Sequence, residues 1–285
     1  AARSAEVILK NNLSGSSGAV KAARKLGAFD VVIVTSPPLL MASAAMKIAR
    51  TKNARLVFDV RDIWPDVGYE IGSFTESSIY GRVFACVASR AYKEADLITT
   101  VSDGKAKRIK ELVSGSNAGK VQIVANGLDL DFLSQECDSL TIERFHLDRG
   151  PLCVYVGNIG LAQGLETVFL LAEHRPDVRF LLFGDGASKE KLEKEAHLLH
   201  LSNVSFCGQL DSRGVYTVLQ NADLSYVPLV NSNLSDSIPT KMFEAIGCGC
   251  PVLLAAVGDS VQVLNDIGLG VSAAPEDIAG LKNGI

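Results

Sequence analysis

The chain has 285 residues, of which 47% are hydrophobic and 21% charged, and its formal net charge at pH 7 is −4. This describes a globular protein of two-domain size and argues against a broad basic surface for nucleic acid. The longest uncharged run, residues 31–46, contains Pro37 and Pro38, so no membrane span is predicted.

The termini and the cysteines bear on compartment and completeness. The first residues, AARSAEVILK, lack the apolar core of a signal peptide. The chain begins without Met and ends abruptly in LKNGI, from which we expect a fragment. Its six cysteines form no CxxC pair and its four histidines no HExxH spacing. Free, mostly buried thiols in a reducing compartment are therefore favoured over disulfides or a zinc site.

The first half of the chain alternates strands with helices. Residues 1–27 suggest a helix that is interrupted by the GSSG at 15–18. Strands are predicted at 29–35, 54–60, 96–101 and 121–125, and helices at 39–52, 79–95 and 102–112. Continuous apolar strands of this kind fit a parallel sheet, and the alternation predicts a doubly wound α/β domain over residues 1–135. Periodicity then fades and charge rises, so residues 136–150 are interpreted as a linker.

A second alternation predicts another α/β domain over residues 151–285. Strands are expected at 152–156, 178–183, 204–207, 224–228 and 251–257, with a weak one near Gly270. Helices are expected at 165–173, 188–199, 214–221 and 240–246 and from Ser260, and the chain stops about where another would begin. Four loops follow successive strands, at 157–164, 184–187, 208–211 and 233–241. In such sheets the ligand lies beyond the carboxyl ends of the strands.

The stretch from Asn233 to Pro251, NLSDSIPTKMFEAIGCGCP, carries the clearest chemistry. A polar loop leads through Pro239 into a short helix, whose free N–H groups and dipole suit a phosphate. Lys241 adds a cation in the first turn, Glu244 a carboxylate for ribose hydroxyls, and Asp236 a second carboxylate from the loop. Taken alone, the stretch is more readily interpreted as a capped helix with its charges in water.

Several segments together resemble a known family. VYVGNIGLAQGLETV, LFGDGASKEKLE, VSFCGQL, ADLSYVPL and IPTKMFEAIGCGCPVL resemble the donor-binding half of retaining GT-B glycosyltransferases of the family-four type. VVIVTSPPLL, LVFDVRDIWPD, ADLITTVSDGKAKRI and IVANGLDLDFL resemble the acceptor half, in order. Bacterial surface-polysaccharide enzymes that transfer fucosamine or N-acetylhexosamine are the most similar. The resemblance implies an α/β fold of two Rossmann-like domains, with the N-terminal domain and the C-terminal tail expected to be incomplete.

The same resemblance implies roles for individual residues. Gly157 and Gly160 would let the backbone approach a diphosphate, Lys241 would pair with its charge, and Asp236 would face the donor sugar. The full expected donor set is Gly157, Asn158, Gly160, Gln163, Gly184, Gly186, Gln209, Leu210, Ser237, Pro239, Thr240 and Glu244. Two departures stand out. Asn158 and Gln163 occupy positions where many relatives carry Arg and Lys, and Asp236 stands where Glu is common.

The implied reaction moves a sugar, an N-acetylated hexosamine or deoxyhexosamine, from a UDP-linked donor to a glycan or lipid-linked acceptor with retention. No metal or cofactor is expected, because Lys241 and helix N–H groups would stabilise the leaving diphosphate. The resemblance also implies a cytoplasmic enzyme in peripheral contact with the inner face of the plasma membrane.

Asp62, at a predicted strand end, is the candidate for orienting the acceptor or acting as base. An ion pair with Arg61 or a helix cap is an equally good interpretation of Asp62. Trp64 suits packing and Ser102 a helix cap better than ligand roles. Two other functions stay open: a UDP-sugar 2-epimerase of the same fold, disfavoured by the lack of histidine in the first-half loops, and a non-catalytic or truncated nucleotide-sugar-binding protein.

Overall fold

The computed structural model describes residues 2–70, 72–113, 115–161, 163–231 and 234–285. It divides into two compact units between Ala125 and Asn126. Both are built on parallel sheets that alternate with helices, as predicted for two Rossmann-like domains.

The first unit holds a four-stranded sheet in the order β1-β2-β3-β4. Its elements are α1 (Ala2–Lys25), β1 (Val31–Ser36), α2 (Met41–Lys52), β2 (Arg55–Val60), α3 (Asp66–Glu70), α4 (Ile79–Glu94), β3 (Leu97–Thr100), α5 (Asp103–Leu112), a 3-10 helix (Gly115–Lys120) and β4 (Val121–Ile123). The predicted break at 15–18 is wrong, because α1 continues through it. There Ser16 Oγ donates to the carbonyl of Leu40, so packing on α2 offsets the low helix propensity of glycine.

The core of this unit lies on one face of its sheet. Leu56, Phe58 and Val60 of β2 are buried against α2 and α4, whereas Ile33 of β1 is 69% exposed. The cause is the sequential strand order, since right-handed crossovers between consecutive parallel neighbours place their helices on the same side. The described part of this unit is therefore wound in one direction, not in two as expected.

The second unit holds a six-stranded sheet in the order β10-β9-β8-β5-β6-β7. Its strands are β5 (Leu152–Val156), β6 (Arg179–Phe183), β7 (Val204–Gly208), β8 (Leu224–Pro228), β9 (Val252–Ala255) and β10 (Gly270–Ala273). Its helices are α6 (Leu130–Leu133), α7 (Ser139–Phe145), α8 (Thr167–His174), α9 (Lys189–Leu198), α10 (Ser212–Asn221), α11 (Thr240–Gly247), α12 (Asp259–Ile267) and α13 (Ile278–Asn283). The strand order reverses between β5 and β8, which makes their carboxyl ends the expected crevice for a ligand.

Residues 126–150 pack into this second unit. Asp138 caps α7 by accepting from the N–H of Thr141, and its own N–H donates to Thr217 Oγ1 of α10 at 2.8 Å. Phe145 meets Phe183 of β6 edge to face, with ring centroids 5.0 Å apart. The predicted linker at 136–150 thus contains a short helix fixed to the sheet. The high charge of this segment concealed the inward-facing side chains of Ile142, Phe145 and Leu147.

The cysteines of the chain are free and differ in their exposure. Cys153, Cys248 and Cys250 are buried free thiols, Cys207 is half-buried, and Cys86 and Cys137 are exposed. Among the residues that the structure describes, no helix is long and apolar enough to cross a membrane.

Candidate functional site

Backbone hydrogen bonds join three loops of the second unit beyond the carboxyl ends of the strands. The N–H of Gly157, after β5, donates to the carbonyl of Phe183 at 2.9 Å. The N–H of Gly184, after β6, donates to the carbonyl of Gly208 at 2.8 Å, and that of Ile159 to Asp185 at 2.9 Å. These bonds continue the sheet into its loops and fix the floor of the site.

Glycine at 184 and 186 is required by the approach of these loops to one another. Gly184 has a φ of +141°, and a Cβ there would clash with the carbonyl of Gly157. A Cβ at Gly186 would clash with the carbonyl of Ile159. At Gly160 the space of a Cβ is taken by the side chain of Asn158. Packing between the loops thus explains glycine at 184 and 186 independently of the predicted contact with a donor.

A cavity of about 450 Å³ opens beside these loops. It is lined by five of the predicted residues, Gly157, Asn158, Gly184, Gln209 and Leu210, together with Val156, Phe183, Asp185 and Val215. Its volume falls in the range of small-molecule sites, which is about 300–1,000 Å³. The mixed lining of apolar side chains, amides and backbone is also typical of such sites.

Helix α11 brings a cation to the same loop. Pro239 is its N-cap residue and makes no side-chain cap hydrogen bond. Buried Met242 and Ala245 anchor the helix in the core of the second unit. From the first turn, Lys241 Nζ reaches within 3.4 Å of the point where a Cβ of Gly157 would lie. The glycine at 157 therefore leaves the ammonium open access to the loop.

Burial perturbs both charged groups of α11. It lowers the pKa of Lys241 to about 8, and the nearby charge of Glu244 opposes part of that change. Burial also raises the pKa of the Glu244 carboxyl, against the opposing charge of Lys241. Incompletely solvated charges of this kind gain most from a ligand that pairs with them, which makes Lys241 and Glu244 candidates for ligand binding.

Tyr155 of β5 completes this arrangement, and the sequence did not single it out. Its hydroxyl accepts from Lys241 Nζ at 2.8 Å and donates to the carbonyl of Asn158 at 2.6 Å. Its ring centroid lies 4.3 Å from the same ammonium. In the apolar run LCVYV the tyrosine looks like core, and its place just before GNIG was the only available signal.

The remaining predicted donor residues lie on the adjoining loops. Gln163 follows Gly160, and its Oε1 is buried without a partner among the residues that the structure describes. Asp236 and Ser237 are half-buried in the turn before α11, where the N–H of Ser237 donates to the carbonyl of Leu234. Thr240 begins the helix and is exposed. Asn233 lies outside the described residues.

Asp62 belongs to the first unit, where it follows β2. Its Oδ1 lies 3.9 Å from Nζ of Lys105, whose side chain is only 1% exposed. Arg61, the partner considered from sequence, lies 3.3 Å from Asp59. Lys105 was missed because its position in α5, among other lysines, looked like a solvated face. The pairing of Asp62 with a buried cation leaves its catalytic role a prediction.

Two further interpretations from sequence can be checked in this unit. Ser102 caps α5, since its Oγ accepts from the N–H of Lys105 at 3.2 Å. Trp64 packs against Phe74 and Phe84, with ring centroids 6.0 and 5.8 Å away. Both therefore have the structural roles that were favoured. Among the described residues, no group of three or more His, Cys, Asp or Glu side chains could hold a metal ion.

Known proteins resemble both halves of the chain. The family model described as glycosyl transferases group 1 matches residues 142–285, and a glycosyl transferase 4-like domain matches residues 10–127. WcaI of Escherichia coli (strain K12), which carries the name of a colanic acid biosynthesis glycosyl transferase, is 24% identical over 90% of this chain and 65% of its own length. The D-inositol 3-phosphate glycosyltransferase of Xylanimonas cellulosilytica is 27% identical over 77% of this chain and 51% of its own length. The chain thus spans about half to two thirds of these relatives.

Solved structures share the fold. Anabaena Alr3699/HepE, crystallised with UDP and glucose, has a TM-score of 0.73 at 18% identity, over 94% of this chain and 70% of that protein. WaaG, described as a glycosyltransferase involved in lipopolysaccharide biosynthesis, has a TM-score of 0.68 at 17% identity, over 87% of this chain and 72% of that protein. These identities support the fold alone. With two parallel sheets in a GT-B arrangement of elements and a family match over its second half, the chain belongs to the group 1 glycosyl transferases.

Proposed function

We propose that the protein transfers a sugar from a nucleoside diphosphate, with UDP as the nucleotide, to a glycan or lipid-linked acceptor with retention at the anomeric carbon. The observation that carries this proposal is the position of Lys241. A partly buried ammonium on the first turn of a helix lies against a glycine loop, at the side of a cavity large enough for a nucleoside. A nucleoside diphosphate suits this combination, because its phosphates would pair with the ammonium and its nucleoside would occupy the cavity.

The chemistry follows from where charge develops. As the glycosidic bond breaks, negative charge grows on the leaving diphosphate. Lys241 and the N–H groups at the start of α11 would stabilise it, and preorganised donors of this kind contribute about 3–4 kcal/mol each. Glu244 would accept from the ribose hydroxyls, Gln209 and Leu210 would contact the base, and Asp236 would face the sugar.

Similar proteins support the choice of donor. HepE was crystallised with UDP and glucose, which supports UDP as the first nucleotide to test. For the sugar we propose an N-acetylated hexosamine or deoxyhexosamine, as the sequence segments suggest. The acceptor proposal is supported by the names of WcaI and WaaG, which refer to colanic acid and lipopolysaccharide.

Titration with nucleotides followed by a turnover assay tests this proposal. We expect UDP to bind more tightly than GDP and ADP, and UDP-N-acetylhexosamines to be consumed, with the anomeric configuration retained in the product as measured by NMR. Conversion of the donor into its 2-epimer without an acceptor would indicate the epimerase instead. Tight UDP binding without hydrolysis or transfer would indicate a non-catalytic nucleotide-sugar-binding protein.

A further inference from the structure

Tyr155 lies where three parts of the second unit meet. It is the penultimate residue of β5, two residues before Gly157, and it is only 1% exposed. Its hydroxyl lies within 3.5 Å of the point where a Cβ of Gly157 would stand, as do Nζ and Cε of Lys241. The phenol, the ammonium and the glycine therefore border the same small volume.

The direction of the hydrogen bonds around this phenol is determined. The carbonyl of Asn158 can only accept, so the Tyr155 hydroxyl donates its single proton there, over 2.6 Å. The oxygen of Tyr155 is then an acceptor for Lys241 Nζ, which is 2.8 Å away. The ring adds a second attraction, because a cation 4.3 Å from a centroid is drawn to the ring face.

Lys241 needs such support because its own surroundings disfavour the charge. Burial is the main cause of its lowered pKa, and Glu244 only partly offsets it. A lysine also has four rotatable bonds in its stem, so an ammonium without a fixed partner would occupy several positions. The phenol oxygen restricts Nζ to the side of the glycine loop.

We propose that Tyr155 is the positioning residue for Lys241, holding the ammonium against the Gly157 loop so that it meets the diphosphate of the donor on arrival. This inference rests on the proposed function. Tyr155 acts through the lysine and does not itself touch the transferred sugar. Phenylalanine would keep the ring but remove the oxygen that fixes the ammonium and the proton that fixes the loop.

Tyr155→Phe tests this, with Tyr226→Phe as the matched control. Tyr226 lies on the neighbouring strand β8, is equally buried, and shares a hydrogen bond with Thr167 Oγ1 at 2.6 Å, away from Lys241. We expect Tyr155→Phe to weaken UDP binding about tenfold, the size expected for one hydrogen bond to a charged group, and to leave uridine binding unchanged. Tyr226→Phe should leave both unchanged.

A double-mutant cycle separates the lysine from the loop. Each of Tyr155→Phe and Lys241→Met is measured alone and in combination, by calorimetric titration with UDP. If Tyr155 acts through Lys241, the tyrosine change costs nothing further once the lysine is gone. Additive losses, or equal weakening of uridine and UDP, would mean that Tyr155 only shapes the loop, and would overturn the inference.

A second measurement does not need a nucleotide. Lysine labelled with carbon-13 at Cε reports the titration of Lys241 by NMR, assigned by its absence in Lys241→Met. Removal of an oxygen that accepts from the ammonium should lower the pKa of Lys241 below about 8. An unchanged titration in Tyr155→Phe would contradict the inference even if UDP binding falls. If the wild-type protein binds no nucleotide at all, the proposed function fails, and with it this role for Tyr155. If it binds UDP and Tyr155→Phe binds equally well, only the inference fails.

Discussion

The poorly solvated ammonium of Lys241 disfavours folding and is also the group proposed to bind the diphosphate. Burial keeps this ammonium partly out of water and lowers its pKa to about 8, while the charge of Glu244 opposes part of that shift. A structural role alone would favour an apolar residue at this position of α11. A poorly solvated cation at this position is the kind of group expected to bind an anionic ligand.

Lys241→Met should therefore stabilise the protein while weakening nucleotide binding. The folded pKa of about 8 lies below the ordinary value of 10.5, so folding is penalised fully below pH 8. The penalty fades as pH rises from 8 towards 10.5, and it corresponds to at most about 3 kcal/mol. We expect Lys241→Met to raise the free energy of unfolding at pH 7 and much less so at pH 10, in urea titrations. UDP affinity should fall at least tenfold. A variant that loses stability at pH 7 would show that the lysine is structural.

The pH dependence of UDP binding by the wild type should follow the same group. A bound diphosphate favours the ammonium, so the pKa of Lys241 rises on binding and protons are taken up. Affinity should be highest below pH 8 and should decline as pH rises above it. Calorimetry in two buffers with different ionisation enthalpies, at pH 8, measures this uptake directly. Proton release at that pH would contradict the assignment.

Glu244→Gln separates the ribose from the diphosphate. The neutral amide loses the charge that strengthens acceptance from hydroxyls, so UDP should bind about tenfold more weakly. Pyrophosphate should bind as well as before or more tightly, because a carboxylate near the anion has been removed. Competition titrations with both ligands compare the two. Parallel weakening of pyrophosphate and UDP would contradict a ribose role for Glu244.

Site residues that belong to a sequence motif could be predicted. Residues that are identified only by a contact in the folded chain could not. Lys241 and Glu244 stand at recognisable positions after a polar loop and Pro239. Tyr155 and Lys105 gave no such signal, because a tyrosine in an apolar strand looks like core and a lysine in a charged helix looks like surface. Their partners lie 86 and 43 residues away along the chain, at Lys241 and Asp62.

Among the elements, the loops beyond β5, β6 and β7 constrain one another directly. Their backbones bond to one another and leave no room for a Cβ at Gly184. These loops form the floor of the candidate site, and α11 is held beside it by buried Met242 and Ala245 and by the hydrogen bond from Lys241 to Tyr155. Long periodic strands and helices were predicted to within a few residues. The short α6 and α7 were not, because helices of one or two turns give too little periodicity.

Gly184→Ala should disrupt this floor, and Gly208→Ala is its control. Both residues have positive φ, +141° and +79°, but a Cβ at Gly208 meets nothing within 4 Å. The conformational strain alone should cost Gly208→Ala about 1–2 kcal/mol, whereas the added clash with the carbonyl of Gly157 should take Gly184→Ala beyond about 3 kcal/mol. Urea unfolding measures both. Equal losses in the free energy of unfolding would show that the loops can move apart at little energetic cost.

At the scale of the whole molecule, strand order predicts where a ligand would bind. In the parallel sheet of the second unit the strand order reverses between β5 and β8. The elements that follow these two strands are the glycine loop and α11. The alternation of strands and helices was enough to predict this class of fold. It was not enough to predict strand order in the first unit, because hydrophobic patterns do not encode which strands become neighbours.

Chelation tests the proposal that positive groups of the protein meet the leaving diphosphate. Turnover of the donor should be unchanged, within about twofold, after dialysis against EDTA, because Lys241 and the start of α11 would supply the charge that a metal otherwise provides. A steady-state assay with and without added Mg²⁺ or Mn²⁺ measures this. Loss of activity on chelation and recovery with either metal would contradict it.

A crystal structure of the protein with UDP tests the central claim most directly. We expect the diphosphate within hydrogen-bond distance of Lys241 Nζ at the Gly157 loop, the ribose hydroxyls at Glu244, and the base beside Gln209 and Leu210. The hydroxyl of Tyr155 should still contact the ammonium. UDP bound with its diphosphate away from Lys241, or bound elsewhere on the second unit, would contradict the account of this site.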